Sequence, residues 1–473
     1  MRNKEYAILN AVILILAVAC SLIAYKSAHD SNLWSGDSNG YARMANNLVQ
    51  HGVISLENHD QSRPFYSTMA RLPGFPAALA ATQIILGKSA WNYAVLNLAA
   101  WVITVILISN ISLELFGFRP ALLTGILAST YTTALFQATS ILPEITTNML
   151  IIIILTIYYK SRDITGIHKL CFIGIISGLA AFYREPVAPT LMIGLLTLGT
   201  NWQNRIKLNL KRLFIIGLMM SLTYTPWIVR NYRLSGKFIP VTIYASGGGT
   251  NTKALQDNGK FGLLLPLDFW EQNMNSEYYM LDMISKRVGY RYFILSGNLE
   301  DRFINASRDD LVFDPADYFP DELADRLVND QQMQPTIKVE LIFLEICKRF
   351  TRSIAKDFFV KRSLKLFAYR LFLLYSLNDT TPWTHWRYGK LIHRLNQVRW
   401  YLIEIPLIFL GIAINLKQNC GKRIFLFVFF YSLLVILNMP VEARYGILPV
   451  TLLKIQAGVG LDRIVKWILN KRN

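Results

Sequence analysis

YAILNAVILILAVACSLIAY, Tyr6 to Tyr25, is a run of twenty residues without one charged side chain. A bilayer hydrocarbon core of ~30 Å needs roughly that many apolar residues to be crossed as a helix. Four further apolar windows carry almost no charge: Tyr93 to Ile111, Ile145 to Tyr159, Leu213 to Val229 and Tyr401 to Leu416. The whole chain of 473 residues is 53% hydrophobic and 17% charged, with the apolar residues gathered in blocks between short polar connections. These features predict an all-α polytopic membrane protein. The opening window follows Met-Arg-Asn-Lys like a signal peptide, but its apolar stretch is long and no small-x-small site follows, so it reads as an uncleaved first span.

The net charge of +18 would raise nucleic-acid binding in a soluble protein. Here the basic residues fall in short connections: Lys160, Arg162 and Lys169; Arg205, Lys207, Lys211 and Arg212; Lys417, Lys422 and Arg423; Arg463, Lys466, Lys471 and Arg472. By the positive-inside rule these are cytoplasmic, as are both termini, and the nucleic-acid reading loses its support. Placing every basic connection on one side gives about ten spans (eight to twelve), near 6–26, 92–111, 120–138, 143–159, 168–183, 186–200, 211–230, 398–416, 423–438 and 443–461. Their middles are almost free of charge. The four cysteines, Cys20, Cys171, Cys347 and Cys420, are far apart and give neither a disulfide framework nor a metal-binding spacing.

Three units follow: an N-terminal transmembrane module, 1–230, containing a first outer loop, 27–91; an extracytoplasmic or interfacial segment, 231–397; and C-terminal transmembrane helices with a cytoplasmic tail, 398–473. The outer segment is expected to be mostly helical. From Ile337 to Leu377 it mixes Leu, Ile and Phe with Lys and Arg, as helices lying on anionic headgroups do. Trp383, Trp386 and Trp400 read as an interface belt.

Ionisable residues at the outer ends of spans are costly and therefore informative. They are Asp37, Arg71, Glu144, Arg184 and Glu185, Arg230 and Arg233, and Glu442 and Arg444. Asp37, Tyr41, Ala45, Leu48 and Gly52 fit one amphipathic helix starting near the acid and closing at the glycine, its apolar stripe resting on the membrane. A carboxylate so placed suits a general base acting on an alcohol, and arginine forks suit phosphate oxygens. The plainer alternatives are an N-cap for Asp37, a helix-start acid for Glu144 and headgroup anchors for the arginines. His51, His59, His385 and His393 give no metal-ligand spacing, and Gly247 to Gly249 lack the Lys-Ser or Lys-Thr of a phosphate loop.

Ordered signatures run along most of the chain: Asp37-x3-Tyr41-x3-Ala45, Arg71-Leu-Pro-Gly-Phe-Pro76, Leu142-Pro-Glu144, Gly178-Leu-Ala-x3-Arg184-Glu-Pro186, Pro226-Trp-x2-Arg230-Asn-Tyr232 and Arg444-Tyr-x2-Leu-Pro449. In these the chain resembles the C-type membrane glycosyltransferases, specifically family 39 with its protein O-mannosyltransferase and lipid A aminoarabinose transferase relatives. The stretch from about Thr250 to Trp400 carries no such signature. The resemblance implies transfer of a sugar from a polyprenyl-phosphate donor to a hydroxyl of a glycan, lipid or protein acceptor, with inversion, at the outer face of a bacterial inner membrane. Asp37 matches the family's loop carboxylate, the base. Glu144 matches its second acidic position, which orients the acceptor or holds a divalent cation, Mg or Mn. Arg71, Arg184, Arg230 and Arg444, with Tyr41, are the expected donor-phosphate contacts. Ser38 stands where many relatives carry a second acid, and Arg71 where some carry Lys, so metal dependence stays open. The competing readings are a lipid-linked saccharide flippase, which predicts charges inside the spans, and a noncatalytic envelope-assembly subunit.

Overall fold

The uncharged opening window forms α1, Arg2–Ser27, in a computed structural model that describes residues 2–28, 33–34, 37–57, 66–160, 166–184, 206–242, 280–290, 319–361, 398–415, 424–432 and 446–472, with side chains left undescribed at 2, 160, 206–209, 350–361 and 471–472. Leu9, Ile13 and Ala17 turn inward on α1, yet Ile8, Val12, Ile15, Leu22 and Ile23 are exposed. A helix apolar all round, with its outer face uncovered, belongs in lipid.

α2 (Ser38–His51) and α3 (Gly74–Leu86) follow in the first loop, then α4 (Ala90–Phe116), α5 (Phe118–Ser129), α6 (Thr132–Thr139), α7 (Glu144–Lys160), α8 (Ile167–Tyr183) and α9 (Ile206–Ser235). α10 (Asp321–Asn329) and α11 (Pro335–Lys361) lie in the outer segment, and α12 (Ile405–Asn415) and α13 (Ile447–Arg472) close the chain. All the described elements are helical.

Among the described residues three helices are long and apolar enough to cross a membrane: Asn3–Ser27, Ala90–Phe116 and Leu210–Ser235. A fourth crossing is available if the pair Thr132–Thr139 and Glu144–Tyr159, bent by 119°, counts as one span. The expected set of about ten is therefore not reproduced there; the expected span at 186–200 lies outside the described residues, as do parts of those at 423–438 and 443–461. The expected single helix over 120–138 is broken: α5 stops at Ser129, and Thr130 and Tyr131 separate it from α6. α3, thirteen residues long, reaches only ~20 Å at 1.5 Å per residue, too short to span.

Glycines set the closest helix approaches. A Cβ on Gly174 would lie 2.7 Å from the Ile216 carbonyl oxygen, and one on Gly178 would lie 3.0 Å from that of Met220. This Gly-x3-Gly pair lets α8 and α9 run side by side. Rising residue numbers meet rising ones, so the two helices are parallel and their C-terminal ends share one end of the bundle. Gly411 and Gly460 give α12 and α13 an equally close approach, but antiparallel, with Gly411 against Gln456 and Gly460 against Leu407, and Asn415 Nδ2 donates to Gln456 Oε1 across 2.7 Å.

The apolar core divides in three. The largest cluster joins α1, α4 to α9, α12, α13 and the helix at 424–432. A second lies wholly in the loops, where Met44, Leu56, Met69 and Ala70 of the first loop pack with Ile239, Met280, Ile284, Leu327 and Ile337 to Cys347 of the outer segment. This corrects the headgroup-lying expectation for the start of α11: Thr336 to Leu344 is buried without interruption. Its alternation of apolar and basic residues arises partly because Lys338 is itself buried, donating to the Val328 carbonyl at 3.1 Å. The third cluster sets Tyr41 and Ala45 of α2 against Phe75, Leu79 and Ala80 of α3 and Tyr93 of α4. The stripe of α2 thus rests on protein rather than on the membrane.

Candidate functional site

α2 begins where the sequence places it, with Asp37 at the N-cap position, and ends at Gly52, whose φ of 67° no β-carbon residue adopts cheaply. The Gly52 N–H closes the helix on the Leu48 carbonyl at 3.1 Å. Asp37 makes no side-chain capping bond. Its Oδ1 instead accepts from Arg71 Nη2 at 2.5 Å, and that guanidinium lies 5.6 Å from the centre of the Tyr41 ring.

Arg71 reaches this position because the chain turns into α3 directly after it. Gly74 abuts the end of α8, where a Cβ would fall 2.7 Å from the carbonyl carbon and oxygen of Phe182. Two residues on, Arg184 pairs with Glu144 at the start of α7. Glu144 follows the turn Ser140 to Pro143, whose carbonyls are held by a buried asparagine of α4. Asn97 Nδ2 donates to the Ser140 and Leu142 oxygens at 2.8 and 2.9 Å, and its Oδ1 accepts from Thr146 Oγ1 at 2.6 Å. Leu33 of the first loop accepts from the Ile141 N–H at 3.3 Å. Helix ends from four parts of the sequence therefore meet at one end of the bundle.

The two ion pairs differ in setting. Arg71 and Asp37 are 36% and 31% exposed, whereas Arg184 and Glu144 are 15% and 4% exposed. Tyr41 lies within electrostatic reach of all four. Burial pushes its phenol up to about 12, with Arg71 and Arg184 pulling it down and Asp37 and Glu144 pushing it further up. A neutral Tyr41 ring is thus a platform for the Arg71 cation rather than an acid.

Arg230, near the end of α9, stands one step away. Its Nη1 donates to the Thr68 carbonyl at 2.9 Å, three residues before Arg71, and its guanidinium lies 4.6 Å from the centre of the Trp227 ring. Its Nη2 is buried and makes no hydrogen bond among the described residues. Arg233 is exposed. Arg444, Glu442 and Glu185 lie outside the described residues.

The donor set does not fit a divalent cation. Asp37 and Glu144 each face a guanidinium, Ser38 occupies the place of the second acid, and among the described residues no three His, Cys, Asp or Glu side chains gather.

A second charged group lies inside the bundle, against the expectation of almost uncharged spans. Lys454 of α13 and Glu404, on a π-helical turn (Arg399–Glu404) before α12, are paired at 1% and 2% exposure. Arg399 Nε donates to Glu404 at 2.7 Å and its two amino groups to the Thr130 and Leu127 carbonyls, tying this turn to the break between α5 and α6. The Lys454 ammonium lies 4.5 and 5.1 Å from the ring centres of Tyr131 and Trp400. Trp400 is consequently buried, not part of an interface belt. A half-open hollow with room for about one water molecule is lined by Thr130, Tyr131, Thr132, Arg399, Trp400, Glu404 and Lys454. The signal in the sequence was a lone Glu and a lone Lys inside apolar runs, Ile403-Glu404-Ile405 and Leu453-Lys454-Ile455. Asn97 gave none, since an asparagine within a span has no distinguishing pattern.

No protein-family model matches the chain, and no curated protein matches it in sequence. Solved structures do match in shape. The archaeal oligosaccharyltransferase AglB from Archaeoglobus fulgidus, in complex with an inhibitory peptide and a dolichol-phosphate, aligns at a TM-score of 0.50 and 13% identity over 97% of this chain and 51% of that one. ArnT from Cupriavidus metallidurans bound to undecaprenyl phosphate aligns at 0.40 and 12%, covering 94% of this chain and 77% of that one. The chain spans about half the length of AglB. The chain shares its fold with the AglB structure.

Proposed function

We propose that this protein is a membrane glycosyltransferase that moves a sugar from a polyprenyl-phosphate donor to an acceptor hydroxyl, with inversion, at the outer face of a bacterial inner membrane. The observation that carries the proposal is the Asp37–Arg71 pair, half-open to solvent beside the buried Glu144–Arg184 pair at one end of the helical bundle. The fold shared with a dolichol-phosphate-binding transferase supports a lipid phosphate as the donor's handle.

In the resting state Arg71 neutralises Asp37. A donor phosphate competes for the same guanidinium, and the Nη2 of Arg230 offers a buried donor whose desolvation an anion offsets. Asp37, released from Arg71, accepts the proton of the acceptor hydroxyl as its oxygen attacks the anomeric carbon. The bond from that carbon to the phosphate oxygen breaks on the opposite face, and its electron pair leaves with the polyprenyl phosphate, stabilised by Arg71, Arg184, Arg230 and Arg444. Glu144, fixed by Arg184 and by the Asn97-held turn, orients the acceptor.

The buried Lys454–Glu404–Arg399 group is the one observation favouring a lipid-saccharide transporter. Its donors and acceptors are, however, engaged with one another, with two backbone carbonyls and with two ring faces, which suits a joint better than a conduit. Reconstitution of the purified protein with a labelled polyprenyl-phosphate sugar on one side of the bilayer separates the readings. Label appearing on an acceptor supports transfer; label crossing the bilayer still attached to its lipid overturns it.

A further inference from the structure

The turn that delivers Arg71 is not held by its own loop. Glu340, on α11 of the outer segment, is fully buried, and its carboxylate grips two successive residues of that turn. Oε1 accepts from Thr68 Oγ1 at 2.5 Å and Oε2 accepts from the Met69 N–H at 2.9 Å. Thr68 Oγ1 in turn accepts from the Ala70 N–H at 3.0 Å, while the Thr68 carbonyl takes the Arg230 bond. The Thr68 N–H completes the set on the Ile54 carbonyl at 3.0 Å. Apart from the Thr68 N–H, the bonds of residues 68–70 thus converge on one carboxylate, one hydroxyl and one guanidinium. Nearby, Gln334 Oε1 accepts from the Ser67 N–H at 3.0 Å.

A buried carboxylate is costly unless paired and hydrogen-bonded. An apolar residue at 340 would join the outer segment to the loop as well as its neighbours Val339 and Leu341 do. What an apolar residue lacks is a fixed negative charge in reach of Arg230, together with two acceptors spaced to set the backbone from which Arg71 projects.

We propose that Glu340 is a positioning residue for the donor phosphate: from the outer segment it clamps residues 68–70 so that Arg71 and Arg230 present their guanidinium groups to one anion. The proposal rests on the glycosyltransferase reading above. It makes the outer segment a part of the donor site that touches no donor.

The test is a double-mutant cycle on equilibrium binding of undecaprenyl phosphate to the full chain in detergent. Glu340→Gln is expected to weaken binding about tenfold, the scale of a lost charged hydrogen bond. In an Arg71→Ala background the same substitution is expected to weaken it less than about threefold, because of the two guanidinium groups only that of Arg230 is left to position. A loss of threefold or more in both backgrounds, or no loss in either, overturns the proposal and leaves the glycosyltransferase reading standing. Should Glu340→Gln fail to fold, Thr68→Val, which keeps the side-chain volume and removes the hydroxyl, takes its place in the cycle with the same expectation. If the unsubstituted chain does not bind undecaprenyl phosphate, the glycosyltransferase reading and this inference fall together.

Discussion

Asp37 and Arg71 are about one-third exposed, and an ion pair so placed contributes on the order of 0–1 kcal/mol to stability. Arg71→Ala is therefore expected to leave thermal unfolding nearly unchanged while lowering kcat/KM for the donor by a hundredfold or more, about 3 kcal/mol of transition-state stabilisation. A parallel fall in Tm and activity contradicts the assignment. For Tyr41 the ring matters more than the hydroxyl. Tyr41→Phe retains both the edge contact with Phe75 at 5.3 Å and the face offered to Arg71, and should keep activity within about threefold, whereas Tyr41→Ala should lose it. The pH dependence has a definite sign. With the folded-state phenol raised to about 12 from 10.0, Tyr41 contributes no change in stability below pH ~10, and stability falls as pH rises from there through the folded value. Alkaline unfolding of Tyr41→Phe should accordingly be shifted to higher pH.

At the scale of elements, glycines and buried charges decide where helix ends come to lie. Gly74→Ala would drive a methyl group into the Phe182 carbonyl, prising α3 and the preceding Arg71 from the end of α8. Overpacking of this kind costs about 1–3 kcal/mol. The expected result is an intact helical circular-dichroism spectrum, with activity lost more than tenfold as a 1 Å displacement of catalytic groups can do. Lys454→Met leaves Glu404 and Arg399 in the bundle without the buried ammonium, and removal of one partner from such a group costs about 3–5 kcal/mol. The double substitution with Glu404→Leu should recover part of that loss in a thermal-unfolding assay. Equal Tm values for single and double variants contradict the view of this group as a coupled joint.

The whole molecule shows which levels of this structure are legible in the residues alone. α1 and α4 follow from uncharged windows of span length, and α2 from an acid and a glycine bracketing an amphipathic run. The association of Asp37, Arg71, Glu144 and Arg184 follows from their common placement at one end of successive helices, although which arginine meets which acid does not. Other features depend on tertiary contacts that periodicity does not encode. Trp400 has an interfacial composition but packs on Lys454. The start of α11 has the alternation of a surface helix yet is buried, because helix 280–288, α10 and the first loop enclose it. Glu340 lies in a stretch without family signatures, and its meaning emerges only from Thr68 and Met69, some 270 residues earlier in the chain.

The measurement that bears most directly on the central claim is single-turnover transfer by purified Asp37→Asn protein in lipid nanodiscs, loaded with labelled polyprenyl-phosphate sugar and an acceptor. A general base at Asp37 predicts that the variant binds donor within a few fold of the unsubstituted protein while transfer falls by about 10²–10⁴. Transfer at an unchanged rate with donor bound would contradict the account, since the outer-loop carboxylate would then have no part in activating the hydroxyl.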